Sequence, residues 1–417
     1  MKLLLKNAVI VTPDETKKGE ILIKDGVIEK ICEEIKIPGG DDVEVLDVKG
    51  NFVSAGFIDL HSHLRDPGYT SKEDIATGTK SAIKGGFTTV LCMPNTNPCI
   101  DTAAAVGDIY SRSKDVGYCN VLPVGAITLS QKGEELTAFG ELKKAGAIAL
   151  SDDGRPVENS ALMREALIKA RETDMLIISH CEDLNLAKLN RIPNSAEDVV
   201  TARDIILAGE TDARLHIAHV SSGNSVDFVD WAKNKKRYKI TAETCPHYFS
   251  LIDEDAARIG VNAKMNPPLR SKADRESIIE AVRAGVIDCI STDHAPHTSA
   301  DKCEESNNIS KAMNGIIGFE TAFSAGVTYL VKPGIITLNK LIELMTVNPA
   351  KIIGIDNKRG RLNEGMAADI AIFNIDEKYL YDRTKTYSKS RNTPYDGVEF
   401  HGKILHTIIN GKYFSFA

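Results

Sequence analysis

Eight stretches of near-continuous apolar residues recur through the chain: FVSAGFIDLH, TTVLCMPN, CNVLPVGAIT, AIALSDD, MLIISHC, RLHIAHVS, YKITAETC and DCISTDH. Apolar runs without strict alternation suit parallel strands buried on both faces. Between them, ATGTKSAIKGG, SALMREALIKARE, SVDFVDWAKNKK and DRESIIEAVRAG carry helical spacing and stop near Gly, Lys or Asp, as helices commonly do. Strand and helix alternating over about 250 residues predict an α/β fold, a TIM-like (β/α)8 barrel.

The two ends read differently. LLLKNAVIV and GEILIKDGVIEKI are short alternating runs, with Asp25-Gly26 as a tight-turn signal between strands. After a helical stretch around LNKLIELMTVNPAKIIG, the tail returns to short strands in AADIAIFNI and KILHTIINGKYF, with Asn410-Gly411 as a second turn. A small β-sandwich domain formed from both termini, residues 1–53 and 356–417, is therefore expected beside a barrel over residues 54–355.

Composition narrows the class. A chain of 417 residues with 42% hydrophobic content buries one large core and leaves residues for a smaller unit. The formal charge of -7 and the lack of a dense basic run beyond Lys233–Arg237 argue against nucleic acid; Lys235, Lys236 and Arg237 read as a solvated helix end. The eight cysteines are spread singly, without Cys-x-x-Cys spacing, and read as reduced thiols. Met1–Leu5 is followed by Lys6, Asp14 and Glu15 with no long apolar stretch, so no secretory leader or membrane partner is expected and a cytoplasmic location fits.

Residues able to bind metal or move protons stand at the ends of the apolar runs: His61 and His63, Asp153, His180, His219 and Asp293. In a barrel of parallel strands the carboxyl ends meet at one rim, where such barrels carry their catalytic groups. Ligands scattered in sequence thus converge in space and predict a metal-dependent active site. Residues two apart on a strand point to one side, so His61 and His63 can reach one cation, with Asp59 and Arg65 nearby. A lone histidine at such a place would more simply cap the strand. His180 and His219 can serve a second metal position, and Asp153 can bridge two cations about 3.5 to 4 Å apart, while Asp152 reads as structural. Imidazole with a few carboxylates suits zinc, for which manganese or cobalt can substitute. Asp293 in STDHAPH is expected to be the general base and acid.

Together, GFIDLHSHLRDPG, CMPNTNP, SDDG, SHCED, AHVSS, KMNPPLRS, STDHAPH and RNTPY resemble the dihydroorotase family of the amidohydrolase superfamily along essentially the whole chain. His-x-His alone indicates the superfamily; KMNPPLRS with DHAPH is specific to the family. The resemblance implies a zinc-dependent, reversible cyclisation of N-carbamoyl-L-aspartate to L-dihydroorotate, with water released, in pyrimidine biosynthesis. It implies one or two zinc ions, two in preference: His61, His63 and Asp293 on one, His180 and His219 on the other, and Asp153 shared. On the substrate side it implies His63, Arg65, Asn95, Asn266, His297, and main-chain groups of Asn314 and Gly315, with Arg65 gripping a carboxylate through its planar guanidinium. The dianionic open substrate needs cations, which Arg65, His297 and zinc are expected to provide. A homodimer and association with aspartate transcarbamoylase are further implications.

The sequence also departs from the family's common pattern. AIALSDDG lacks the carboxylated lysine that bridges the metals in many superfamily members, which places the chain in the aspartate-bridged branch. The segment from Leu184 to Pro193 is short, so less cover over the site is expected, and Asn314 stands where relatives commonly have Phe. The polar segment Thr298–Met313 is long enough for a lid, or for an ordinary surface loop. Two other readings stay open: another cyclic amidase such as a hydantoinase or allantoinase, and a noncatalytic scaffold subunit of aspartate transcarbamoylase.

Overall fold

A computed structural model of the chain describes residues 2–36, 42–189, 191–235 and 237–416. The N-terminal strands are β1 (Lys2–Val11), β2 (Thr16–Lys24), β3 (Val27–Cys32), β4 (Glu44–Asp47) and β5 (Phe52–Ala55). β1, β2 and β3 pair antiparallel in series, and β4 and β5 add parallel to β1. Asp25 and Gly26 join β2 to β3 with φ of 50° and 82°, the left-handed pair that a two-residue hairpin turn requires.

The stretch FVSAGFIDLH, expected as one barrel strand, divides at Gly56. Phe52–Ala55 stays in the terminal sheet, and β6 (Phe57–Ser62) opens the barrel. A β-carbon at Gly56 would fall 2.2 Å from Thr88 Cγ2, so the chain crosses between the two units where only glycine fits. β7 (Phe87–Cys92) and β8 (Asn120–Pro123) follow in parallel, then β9 (Ile177–Ser179), β10 (Arg214–Ile217), β11 (Lys239–Thr244) and β12 (Cys289–Ile290). Leu150 bridges Gly125 on one side and Ile177 on the other, and Ser62 bridges His294, which closes the ring. AIALSDD thus contributes one bridging residue, Leu150, instead of a full strand. Asp152 accepts from Ile127 N at 2.8 Å and Thr128 N at 3.1 Å, which turns the backbone out of the ladder just after Leu150.

The four expected helices are present as Ile75–Lys84, Ser160–Glu172, Gly223–Asn234 and Lys272–Ala284. Each begins beside a polar cap, Asp74, Asn159, Ser222 or Ser271, whose side chain accepts from a free N–H of the first turn. Beyond Asn234, Lys235 and Arg237 are exposed, and Lys236 lies outside the described residues. Helices Leu338–Met345 and Val347–Ile352 lead to β13 (Ile370–Leu380), β14 (Glu399–Ile409) and β15 (Lys412–Ser415). β13 lies antiparallel to β5, so both ends of the chain share one sheet in the order β15-β14-β13-β5-β1-β2-β3. This domain has its own core, including Leu3, Ile21, Ile23, Val53, Ile370 and Ile408, apart from the barrel clusters. The architecture is a TIM-like barrel carrying a β-sandwich domain assembled from both termini. Among the described residues, no helix is long and apolar enough to cross a membrane.

Candidate active site

The carboxyl ends of the barrel strands deliver the residues singled out in the sequence. His61 lies in β6 and His63 just beyond it; His180 follows β9, His219 follows β10, Asp293 follows β12, and Asp153 comes after the Leu150 bridge. All are buried. His61 Nε2 lies 3.1 Å from Asp153 Oδ1 and 3.7 Å from Asp293 Oδ1. His63 Nε2 lies 3.1 Å from Asp293 Oδ1 and 3.4 Å from Asp153 Oδ2. His180 Nδ1 is 2.7 Å from His219 Nε2 and 3.5 Å from Asp153 Oδ1, which itself is 3.8 Å from His219 Nε2. Asp153 therefore sits between two pairs of imidazoles. Arg65, His219 and Asp293 hold left-handed backbones, with φ of 58°, 35° and 45°, a strained state that surrounding structure must enforce.

The histidines are oriented from behind. His61 Nδ1 is 2.8 Å from Glu243 Oε1, His63 Nδ1 is 2.9 Å from Asn95 Oδ1, and His180 Nε2 is 3.3 Å from Glu182 Oε2. With those nitrogens donating, His61 Nε2, His63 Nε2 and His180 Nδ1 face Asp153 and Asp293 and are the ring atoms left to offer a lone pair to a cation. Glu243 also takes a hydrogen bond from Ser291 Oγ and lies 3.2 Å from His216 Nε2.

Electrostatics show that the cluster attracts positive charge. Burial alone would raise the Asp153 carboxyl, yet His61, His180 and His219 hold it well below its ordinary value. Asp293, raised by burial, is brought to about 2 by His63, His61 and His219. Burial would lower His180, but Asp153 and Glu182 push it up to about 10, and Asp153, Glu243 and Asp293 likewise raise His61. His61 Nε2 and Asp153 Oδ1 are buried and make no hydrogen bond. Ligand atoms of His61, Asp153 and His219, and of His61, His63 and Asp293, form groups lying within 4.8 Å of one another. Unbonded donor atoms aimed at a common point, in a set of imidazoles and carboxylates, fit a divalent cation.

Beside this cluster opens a cavity of about 310 Å3, lined by His63, Arg65, Asn95, Asp153, His180, His219, Asn266, Asp293, His297, Asn314 and Gly315. His61 and Glu243 lie behind it. Arg65 Nε donates to Pro296 O at 3.3 Å and Nη2 lies 3.3 Å from His297 Nε2, which together fix the guanidinium plane. His297 differs from the cation expected of it. Burial, with Arg65, Lys72 and Lys302 nearby, lowers it to about 2, so it is a neutral imidazole at physiological pH. Lys72 Nζ, 3.2 Å from His297 Nδ1, supplies the second positive charge beside Arg65. Asn266 Nδ2 donates to Glu182 Oε1 at 3.0 Å, which ties a cavity-wall residue to the partner of His180. Gly315 lines the cavity, but its main-chain groups are engaged within the protein: its N–H donates to Lys264 O at 3.0 Å, and its carbonyl accepts from Lys302 Nζ and Asn392 Nδ2, each at 3.0 Å.

Sequence reasoning missed Glu182, Glu243, Lys72 and Lys302. Glu182 and Glu243 were visible in SHCED and at the end of YKITAETC, where a carboxylate closing a buried run is itself a signal. Lys72 and Lys302 sit in polar loops with no distinguishing pattern. Asp152 bonds to Ile127 N, Thr128 N and Thr128 Oγ1, and does not line the cavity.

Residues 52–413 match the Amidohydrolase family. The chain belongs to that family. Its relatives include a protein named dihydroorotase from Acetivibrio thermocellus, 46% identical over 98% of both chains. Another of that name, from Aquifex aeolicus, is 44% identical over 99% of both. Solved structures with the same fold include the L-hydantoinase (dihydropyrimidinase) from Arthrobacter aurescens, with a TM-score of 0.91 at 25% identity over 99% of this chain and 96% of that one. The dihydropyrimidinase from Brevibacillus agri superposes with a TM-score of 0.88 at 23% identity, covering 99% of this chain and 95% of that one.

Proposed function

We infer that this chain is a dihydroorotase, which interconverts N-carbamoyl-L-aspartate and L-dihydroorotate plus water in pyrimidine biosynthesis. The observation that carries the reading is a single cavity lined both by the imidazole–carboxylate cluster and by Arg65 and His297, with Lys72 Nζ 3.2 Å from His297 Nδ1. That layout suits a small substrate with a carboxylate beside a cleavable amide. The relatives named dihydroorotase reach 46% identity, against 25% for the hydantoinase, which favours this substrate over other cyclic amides. The test is dihydroorotate hydrolysis by the purified chain supplied with zinc, beside a His61→Ala, His63→Ala control. Turnover lost in the control supports the reading; no turnover by the zinc-loaded protein refutes it as an autonomous enzyme.

On this reading two zinc ions would be held by these residues, one by His61, His63 and Asp293 and the other by His180 and His219, with Asp153 serving both. When bound, zinc supplies Lewis acidity, polarising a carbonyl oxygen and making water nucleophilic at neutral pH. Asp293, ionised at neutral pH, accepts the proton of the attacking water in hydrolysis and passes it to the departing ring nitrogen; cyclisation reverses the transfer. Arg65 takes the substrate carboxylate as a planar fork, with Lys72 adding charge and neutral His297 adding a hydrogen bond. Asn95 holds the ring of His63 and presents its amide to the cavity, which Asn266 also lines. On the same reading the enzyme acts in the cytoplasm as a homodimer able to associate with aspartate transcarbamoylase; its mass in solution, alone and with that partner, tests both.

A further inference from the structure

Lys302 lies in the polar segment Thr298–Met313 with no solvent exposure. Its Nζ donates to three main-chain carbonyls: Lys264 at 2.9 Å, Met313 at 2.8 Å and Gly315 at 3.0 Å. An ammonium has three N–H donors, so all are used. The acceptors come from two separate stretches of chain. Lys264 precedes Asn266 by two residues, and Met313 and Gly315 flank Asn314. Each stretch forms part of the cavity wall.

Lys264 returns the contact, with its Nζ donating to Ile309 O at 2.7 Å and Ala312 O at 2.6 Å. Farther out, Glu304 accepts from Asn262 Nδ2 at 2.7 Å and Arg383 Nη1 at 2.6 Å. The Gly315 wall packs tightly on the substrate side: a β-carbon there would fall 2.7 Å from Ala295 O and 3.1 Å from His297 Cδ2.

We propose that Lys302 is a positioning residue for substrate binding, a buried clamp that locks the Lys264–Asn266 wall to the Met313–Gly315 wall before substrate enters. The proposal rests on the dihydroorotase reading above. The segment then acts as a pinned strap rather than a swinging lid, because swinging it open would strip the buried Lys302 ammonium of all three carbonyl acceptors at once. Asn266, Asn314 and His297 are held at fixed spacing, and the binding free energy is not consumed in ordering them.

The test uses the zinc-loaded full chain. Lys302→Met should raise KM for dihydroorotate about tenfold or more, the size of one lost charged contact, with kcat changed far less. Hydrogen exchange should speed up across residues 298–315 and stay unchanged in the barrel strands. Propylammonium, which restores the missing atoms, should recover the KM of Lys302→Ala, whereas 1-propanol should not. A folded Lys302→Met enzyme with wild-type KM and unchanged exchange overturns the clamp. So does a uniform rise in exchange over the whole barrel without rescue by propylammonium, which marks a purely structural lysine. If the wild-type chain fails to turn over dihydroorotate, the functional reading falls, and exchange at 298–315 in Lys302→Met still decides the clamp.

Discussion

Glu243 gives the sharpest test of how the metal site is held. Its carboxylate is fully buried in β11, accepts from His61 Nδ1 at 2.8 Å, from Ser291 Oγ and from His219 N at 3.4 Å, and lies 3.2 Å from His216 Nε2. Burial would raise it, yet His216 and His61 hold it well below the ordinary carboxylate range, so it is an anion in the folded protein. That anion keeps the His61 proton on Nδ1 and leaves Nε2 for the metal. Glu243→Gln retains an acceptor but loses the charge; Glu243→Leu removes both and leaves the Nδ1 donor buried and unpaired. Losing such an outer partner weakens metal binding about 10- to 100-fold, with Gln expected near the lower end and Leu near the upper. At zinc 100-fold above the wild-type Kd, binding adds about 2.7 kcal/mol to stability, and a tenfold weaker site adds about 1.3 kcal/mol less. Zinc competition with a chromophoric chelator, and melting with and without zinc, read both quantities. A folded Glu243→Leu protein with wild-type zinc affinity would refute the argument that this carboxylate sets the His61 tautomer.

Other expectations concern the cavity and its charge. Asp293→Asn should retain most of its zinc by elemental analysis and lose nearly all turnover; substantial activity would put the proton carrier elsewhere. Arg65→Lys replaces a fork with a point charge and should raise KM more than it lowers kcat, and an unchanged KM would place Arg65 outside substrate contact. In the metal-free protein His180 sits at about 10, so zinc must displace its proton. Zinc affinity should therefore rise with pH from 6 towards 9, by up to about tenfold per pH unit for each proton released, and a flat profile would contradict that charge state. The same shift makes the metal-free protein less stable as pH rises from about 6.5 towards 10, because the unfolded imidazole loses its proton first.

Much of the fold was legible because period and turn chemistry agreed. The helices at Ile75–Lys84 and Lys272–Ala284 follow from apolar spacing with a polar cap, and the Asp25-Gly26 and Asn410-Gly411 turns from residues that tolerate positive φ. FVSAGFIDLH was misread because a continuous apolar run carries no mark of which sheet each half joins; the mark was Gly56, whose need for space is visible only against Thr88. The ligand-type residues were legible as polar endings of buried runs. Glu182 and Glu243 end such runs too, but the pairing of Glu243 with His61 was not legible, because it joins strands adjacent only in space. His297 was misjudged for the same reason: its charge is set by Arg65, Lys72 and Lys302, remote from it in sequence or hidden in a loop.

The position of Asp59 explains why the cluster can hold its strained backbone. Its carboxylate accepts from Thr292 N at 2.9 Å, Thr292 Oγ1 at 2.6 Å and His61 N at 3.3 Å, so it bridges the first barrel strand to the stretch carrying Asp293. Burial pushes Asp59 up to about 7 even with those donors. The paired main-chain contact between these two segments is the bridge from Ser62 to His294, with His63 N donating to His294 O at 2.9 Å. The seam where the barrel closes is thus stitched largely by side chains, and His61, His63 and Asp293 all lie along it. A seam fixed by Asp59 and Thr292 can keep Arg65 and Asp293 at positive φ, because relaxing either would break contacts on the opposite strand. The cost of that strain is spread over the buried network, which leaves the donor atoms facing one another before any cation arrives.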